Sequence, residues 1–481
     1  MSANIIATEK VQIDPINAPP DSAFSFRGGY PIISFLIAQS DKYLVGKSLR
    51  LCGEFKITNG AGVAVKNNDG VGGGNGATRL NCSIDSRIGV ASCLRQVTLS
   101  TLDNQTLEHI KEYPRLLSSL VPATHGGADL NNGNALGNIT SSRSIVEACS
   151  LNTKRTFSIP IRCGLLSGTG LVPLGQNGTR GLIMNLECAP DASVLQPWLL
   201  GTATDPEAAE SLQSGSAAGG VQIGDFSYTL SNVHLTYDLL VPDEEGAQMM
   251  NNASNGALQY NAYSSLYSVI NSSDQTVSLN LGASKVQSII HNIVPTTFVN
   301  NSQQLSNATY KLSNGPGVNA PILEVAYSKA GILFPRENRI DEQQKGVLGN
   351  EQSLIDAVTL ETYLGAIKNI NDLDNTLASC QTEIGKATRV NGVHGANVNN
   401  PDRAIDDGGE DRWGMTLANK RPVFGLGIRQ DIFKHGVDYS RTPYSVRVRS
   451  ALDGQNPNSL FTYVLASSTL LYSPEGIRVV S

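Results

Sequence analysis

Several stretches of this 481-residue chain carry residue types suited to chemistry, and each lacks the spacing that chemistry needs. Gly46-Lys47-Ser48 has the ending of a phosphate-binding loop, in which backbone amides and a lysine cradle phosphate oxygens. That loop also needs a glycine at position 41, where Asp41 stands, and a helix behind it, where a strand pattern follows. Gly70–Gly76 (GVGGGNG) meets only the relaxed dinucleotide fingerprint, through Gly72, Gly74 and Ala77, with no helix after it, and reads as a loop. His125-Gly126-Gly127 has the make-up of an oxyanion turn, but no Gly-x-Ser-x-Gly elbow supplies a nucleophile. His109, His234, His291, His394 and His435 are scattered without the pair spacing of metal ligation and read as structural. PDRAIDDGGEDRW gathers Asp402, Asp406, Asp407, Glu410 and Asp411 around Gly408-Gly409, a composition able to hold Ca2+. Its spacing is not that of an EF-hand, and Arg403 and Arg412 can pair with the acids, so it reads as a salt-bridged loop. No catalytic residue, metal or cofactor is expected.

Composition removes further classes. Charged residues make up 16% of the chain, against about 25% in an average soluble protein. The net charge of −6 argues against a general nucleic-acid surface, and no sequence-specific nucleic-acid contact is expected. No apolar run is long enough for a membrane-spanning helix. The opening MSANIIATEKVQIDPINAPP lacks the basic-then-apolar order of a signal peptide. The seven cysteines are odd in number, form no Cys-x-x-Cys pair and read as buried, reduced thiols. The eight Asn-x-Ser/Thr triplets, Asn138, Asn177 and Asn307 among them, are expected to stay unmodified for want of a signal peptide. Trp198 and Trp413 lie in or beside long polar stretches and are candidate anchors of protein contacts.

The elements around these residues are mostly strands. Short β-branched or aromatic segments punctuated by Gly, Asn, Asp and Pro predict strands at 30–38, 48–58, 91–101, 155–166, 181–188 and 226–241. A second set falls at 258–270, 276–281, 286–299, 322–334, 422–429, 444–449 and 460–471. Such spacing predicts β-sandwiches. Helix patterns are few. Leu107–Val121 follows the capping pair Asp103-Asn104, with Pro114 expected to break or kink it. Ser353–Leu373 places Leu360, Tyr363, Leu364, Ile367 and Ile370 on one face, expected to seal a sandwich. Asp243–Ala253 predicts a short helix between the halves. Long polar stretches at 59–78, 123–143, 201–225 and 374–420 are expected to do something or to pack on a neighbour.

An internal repeat sets the organisation. Residues 226–237 read FSYTLSNVHLTY and residues 461–472 read FTYVLASSTLLY. Phe226, Tyr228, Leu230, Leu235 and Tyr237 match Phe461, Tyr463, Leu465, Leu470 and Tyr472 without a gap, 235 residues apart. One copy ends before Pro242, the other before Pro474. The expected plan is an arm over 1–24, a first sandwich over 25–242, a linker over 243–253 and a second sandwich over 254–481.

At this point the sequence resembles the major capsid proteins with a double jelly roll, of the polinton-like virus and virophage type, from double-stranded DNA viruses. The resemblance rests on YPIISFLIAQSDKYLVGKSLRLCGEFKIT (Tyr30–Thr58), on Arg87–Leu120 with its tyrosine and leucine pair, on Thr156–Cys188 and on Phe226–Pro242. The repeat and the SPEG ending at Ser473–Gly476 support the second half. The resemblance implies an all-β chain of two tandem eight-stranded jelly rolls with short helices and long loops. It implies a homotrimer of pseudo-hexameric outline that tiles an icosahedral shell beside penton and minor capsid proteins. The arm would lie on the inner side of the shell or link neighbours. Tyr113 and Leu116 then join Trp198 and Trp413 as candidate subunit-interface anchors. Low charge density keeps repulsion between crowded copies small. The segment before Arg27 is not basic, which suits a shell whose DNA is handled elsewhere. The expectation is a non-enzymatic structural protein of the virion, made and assembled inside the host cell. The competing reading is a carbohydrate- or receptor-binding spike or fibre, for which two tryptophans give thin support. A hydrolase on a β-sandwich scaffold would need two convergent carboxylates.

Overall fold

The structure, a computed structural model, describes residues 5–19, 21–27, 29–59, 69–71, 78–84, 88–124, 155–167, 170–176, 178–200, 210–211, 226–248, 256–296, 299, 322–333, 338–341, 354–355, 366, 424–427, 436–450, 457–473 and 476–480. In the first half the strands are Ile5–Ile13 (β1), Ile32–Ile37 (β2), Tyr43–Val45 (β3), Arg50–Asn59 (β4), Asp69–Val71 (β5), Thr78–Ser83 (β6), Leu94–Thr101 (β7), Thr106–Lys111 (β8), Arg155–Pro160 (β9), Leu171–Pro173 (β10), Leu182–Cys188 (β11), Gln196–Leu200 (β12), Glu210–Ser211 (β13) and Phe226–Pro242 (β14). The second half holds Ala257–Ile270 (β15), Asp274–Leu279 (β16), Val286–Pro295 (β17), Ile322–Lys329 (β18), Ile332–Leu333 (β19), Asn338–Asp341 (β20), Leu354–Ile355 (β21), Phe424–Gly427 (β22), Tyr444–Ser450 (β23), Asn458–Ser473 (β24) and Gly476–Val480 (β25). Helix α1 is Tyr113–Thr124.

Pairing order identifies the fold. In the first half, β1 lies against β14, β14 against β4, and β4 against β9, while β2, β11, β7 and β8 form a second row. Counted along the chain, these eight strands pair in the orders 1-8-3-6 and 2-7-4-5. The second half repeats both orders, as β15-β24-β17-β22 and β16-β23-β18-β20. Two antiparallel rows so interleaved are a jelly roll. The chain is therefore a double jelly roll, and the repeated segments β14 and β24 are the eighth strand of each roll. Within the segment 1–24, Ile5–Ile13 is the first strand of the first roll.

The rolls share a sheet. Strands β2-β11-β7-β8 of the first continue into β15-β24-β17-β22 of the second, with β25 beside β24, as one nine-stranded sheet. This explains two kinds of sequence pattern. In β11 burial alternates strictly, because one face meets the core and the other does not. In β24, Leu460 and Val464 face the second core while Phe461 and Tyr463 face the first, so the strand reads as a nearly continuous apolar run. At the far end of the sheet the free edge of β2 is blunted. The Asn17 amide donates to the Ile32 carbonyl (2.7 Å), its oxygen accepts from the Ser34 amide (3.0 Å), and the Ile16 amide donates to the Ser34 carbonyl (2.8 Å).

Three expected elements differ. Leu107–Val121 is not a helix throughout. Thr106–Lys111 is strand β8, Glu112 turns the chain at φ +50°, and α1 runs to Thr124. Pro114 is the second residue of that helix, where its missing N–H costs nothing, so it starts the helix rather than kinking it. The strand expected over 155–166 ends at Pro160 and is followed by a helical turn, Gly164–Ser167. The helix expected from Ser353 does not begin there, since Leu354–Ile355 pair with Ile340 and Asp341. Ala366 is helical, and the five residues of the proposed sealing face lie outside the described residues. In the linker, residues 244–248 are helical, and Asp243 caps them by accepting from the Gly246 amide (2.6 Å).

Candidate functional site

Two surfaces decide what this chain can join to. One is the seam between its rolls, the other the outer face of the first roll's six-stranded sheet, β10-β3-β14-β4-β9 with β1 beside β14. The seam has little ladder bonding, because β8 and β15 meet in parallel at a single register pair, His109 and Ser264. Side chains supply the rest. Glu108 on β8 is 3% exposed, and its two oxygens accept from the amides of Tyr263 on β15 and of Gly164 (2.7 Å each). The Leu165 amide is a third donor. Burial pushes the Glu108 carboxyl up to about 7, while the three amides pull the other way. Gly164 admits this approach because a Cβ there would stand 1.8 Å from the Asn261 carbonyl oxygen. The Tyr260 hydroxyl donates to the Leu107 carbonyl (3.3 Å) and the Lys111 amide to Ser265 Oγ (3.1 Å).

Helix α1 completes the seam. Tyr113, Leu116, Leu117 and Leu120 join one core with Ile290, Val294, Phe461 and Tyr463 of the second roll. The Tyr463 hydroxyl donates to the Glu112 carbonyl (2.7 Å), and the Arg115 guanidinium lies 4.9 Å from the Phe461 ring centre. Tyr113 and Leu116, expected to anchor a contact between subunits, are 0% and 1% exposed and anchor the two rolls of one chain instead. The Tyr113 hydroxyl accepts from the Arg162 amide (2.7 Å). The pair is buried where the helix packs between first-roll strands and the second roll, which no local pattern around residues 113–116 reveals. Trp198 lies on β12, its backbone opposite Asn81 and Ser211. Trp413 and the acidic loop with Asp402, Asp406, Asp407, Glu410 and Asp411 lie outside the described residues, as do Gly72–Gly76, His125, His394 and His435.

The other sequence-level candidates hold strands together. Gly46-Lys47-Ser48 is a tight turn with Lys47 at φ +65°, and Ser48 Oγ donates to the Val45 carbonyl while accepting from the Asp238 amide. His291 is fully buried in the second core, 3.0 Å from both Thr462 Oγ1 and the Tyr444 hydroxyl, and stacked on Tyr327 and Tyr444. Burial drives its pKa down to about 3, so the ring is neutral. Cys93, Cys163 and Cys188 are buried free thiols. Burial raises the pKa of Cys93 and takes that of Cys188 up to about 12. Among the described residues no group of three metal-ligating side chains comes together.

The outer face of the six-stranded sheet differs in kind. Arg50, Cys52, Glu54 and Lys56 on β4 alternate with the buried Leu51, Phe55 and Ile57, and none of the four is buried. On β14, Thr229, Ser231, His234 and Thr236 lie on the same outer face. Arg50 donates to Ser158 Oγ (2.8 Å) and Thr58 shares a bond with Ser227 (2.9 Å). Among the described residues this face is a broad polar surface.

The chain matches no family model and no curated protein. Solved structures do match it, along nearly its whole length. It is similar to the Faustovirus major capsid protein at 9% identity, over 98% of this chain and 91% of that one, with a TM-score of 0.50. It is similar to PBCV-1 VP54, known from a crystal structure fitted into a reconstruction of the virophage Sputnik, at 11% identity, over 100% and 98% of the two chains, with a TM-score of 0.51. The Sputnik virophage structure matches at 10% identity, over 100% and 89%, with a TM-score of 0.50. At such identities the likeness is one of fold, and the fold is that of the double jelly-roll capsid proteins.

Proposed function

We propose that this chain is a major capsid protein, the structural subunit of an icosahedral shell around double-stranded DNA. One observation carries the reading. Two jelly rolls of identical strand order stand side by side in a single continuous sheet, and the chain is similar in fold to the Faustovirus major capsid protein and PBCV-1 VP54 along nearly its whole length. The seam supports the same reading. Buried hydrogen bonds and a shared core fix the angle between the rolls, which a tile must hold and a flexible two-module binder need not. In this account three copies close into a trimer of pseudo-hexameric outline, and trimers meet each other, penton proteins and minor capsid proteins in the virion. The protein works by packing rather than by catalysis.

Sedimentation of the purified protein over a range of concentrations tests the proposal. A trimer is expected. A monomer that stays monomeric at the highest concentration and at every salt level contradicts it.

A further inference from the structure

The strands that repeat between the rolls leave β25 over. It follows the eighth strand of the second roll, whereas after β14, the eighth strand of the first, the chain runs on into the helical residues 244–248. β25 pairs with β24 beyond the end of β17, on the edge of β24 opposite β15. In the first roll β3 holds the matching place, beyond β4 on the edge of β14 opposite β1. The cores they face differ in kind. β3 turns Leu44 into the core of its own roll. β25 places Ile477 directly opposite Tyr472 and Val479 opposite Leu470, so the four share one face of the β24–β25 pair. Leu470, Tyr472 and Ile477 are at most 9% exposed and belong to the core built around the first roll, with Val479 packed against it, and none of the four lies in the second core. Burial, and then the neighbouring Tyr472, raise the pKa of Tyr43 on β3, which puts this end of β24 beside the first roll. The opposite face of the pair, with Leu471, Arg478 and Val480, is exposed. The Glu108 contact is close by. Asn261, whose carbonyl Gly164 approaches, pairs with Ser467 on β24, two residues short of Thr469, where pairing with β25 starts.

We infer that β25 is a clasp, which carries the end of the second roll onto the first roll and holds the seam shut, rather than an edge strand serving its own roll. It docks only on a β24 already laid against the first roll, so its closure completes the join between the two. A strand buried on one face and held by a ladder of five register pairs opens locally at a smaller cost than either core. The seam therefore has a closed and an open state, and β25 sets the balance between them.

The experiment is hydrogen exchange with peptide mass analysis on the wild type and Ile477→Asp, at a dilution where sedimentation finds both in the same state. Aspartate at 477 sets a charge against the core around the first roll and leaves the second core intact, so it releases the clasp selectively. Peptides carrying the Gly164, Leu165 and Tyr263 amides are expected to exchange at least ~10-fold faster in the variant, and those of β18 and β23 to stay within about 2-fold of wild type. Ile477→Ala takes its place should Ile477→Asp not fold. A folded variant whose seam peptides exchange at the wild-type rate overturns the inference. So does one in which β18 and β23 accelerate as much as the seam, which is how an edge strand of the second roll behaves. Either outcome leaves the shell reading standing.

Discussion

Glu108 and His291 are buried titratable groups with opposite effects on stability. Folding raises the Glu108 pKa from 4.5 to about 7, so between those values the folded chain holds a proton that the unfolded chain has released. The resulting stability is full below pH 4.5 and is lost as pH rises through 7, a change of about 3 kcal/mol at 1.4 kcal/mol per unit. Folding lowers the His291 pKa from 6.5 to about 3, so the unfolded chain takes up a proton that the folded chain refuses. That stability is full above pH 6.5 and is lost as pH falls toward 3. The two slopes oppose each other between pH 4.5 and 6.5 and are expected to flatten the wild-type profile there. Thermal melts across pH 4 to 8 check this. Glu108→Gln should leave a melting temperature that rises with pH over that window, and His291→Gln one that falls. Parallel profiles for both variants would contradict the assignment. At the same scale, Tyr228 and Tyr463 occupy matching positions of the repeat, and each hydroxyl donates to a backbone carbonyl, the buried one of Ala189 (2.6 Å) and the half-buried one of Glu112 (2.7 Å). Tyr→Phe at either position should cost about 1–2 kcal/mol in urea unfolding, for the bond lost and the carbonyl left bare. A cost near zero at both would show that the hydroxyls are replaceable by water.

At the scale of elements, helix α1 and strand β24 bear the join between the rolls. Pro114 sits in the first turn of α1, so Pro114→Ala should leave stability within about 0.5 kcal/mol. Gly164→Ala, by contrast, places a methyl group against the Asn261 carbonyl and should lower stability by about 2 kcal/mol or more. Comparing the two by urea midpoint tests whether the turn at 164–167 or the helix start sets the seam. What could be read from sequence follows the same physics. Strands were legible where one face is buried, as at β11 and β14, because alternation is a local signal. The repeat was legible because both copies are an eighth strand whose Tyr and Leu are buried, Tyr228 and Leu230 in their own roll's core and Tyr463 and Leu465 against the other roll's. Leu107–Lys111 misled because its apolar residues, Leu107 and Ile110, are three apart, as on a helix, while strand pairing with β7 decides its form. The role of Glu108 left no trace, because its amide partners lie 56 and 155 residues away. Tyr113 and Leu116 were legible as important, and only the second roll shows that they face inward.

At the scale of the whole molecule, a seam built from one register pair, a buried carboxylate and a shared apolar core makes two rolls behave as one rigid tile. In the proposed trimer, charge screening should matter at contacts between copies and little at the buried seam within one chain. Raised salt is therefore expected to shift the balance between trimer and monomer while leaving the melting temperature of the monomer nearly unchanged, which sedimentation and calorimetry in parallel would show. The account stands or falls most directly on electron microscopy of the concentrated, purified protein. It calls for hexagon-outlined particles near ~80 Å across, a few domain widths, resolving into six similar lobes from three chains. Isolated two-lobed particles with no common outline would contradict it.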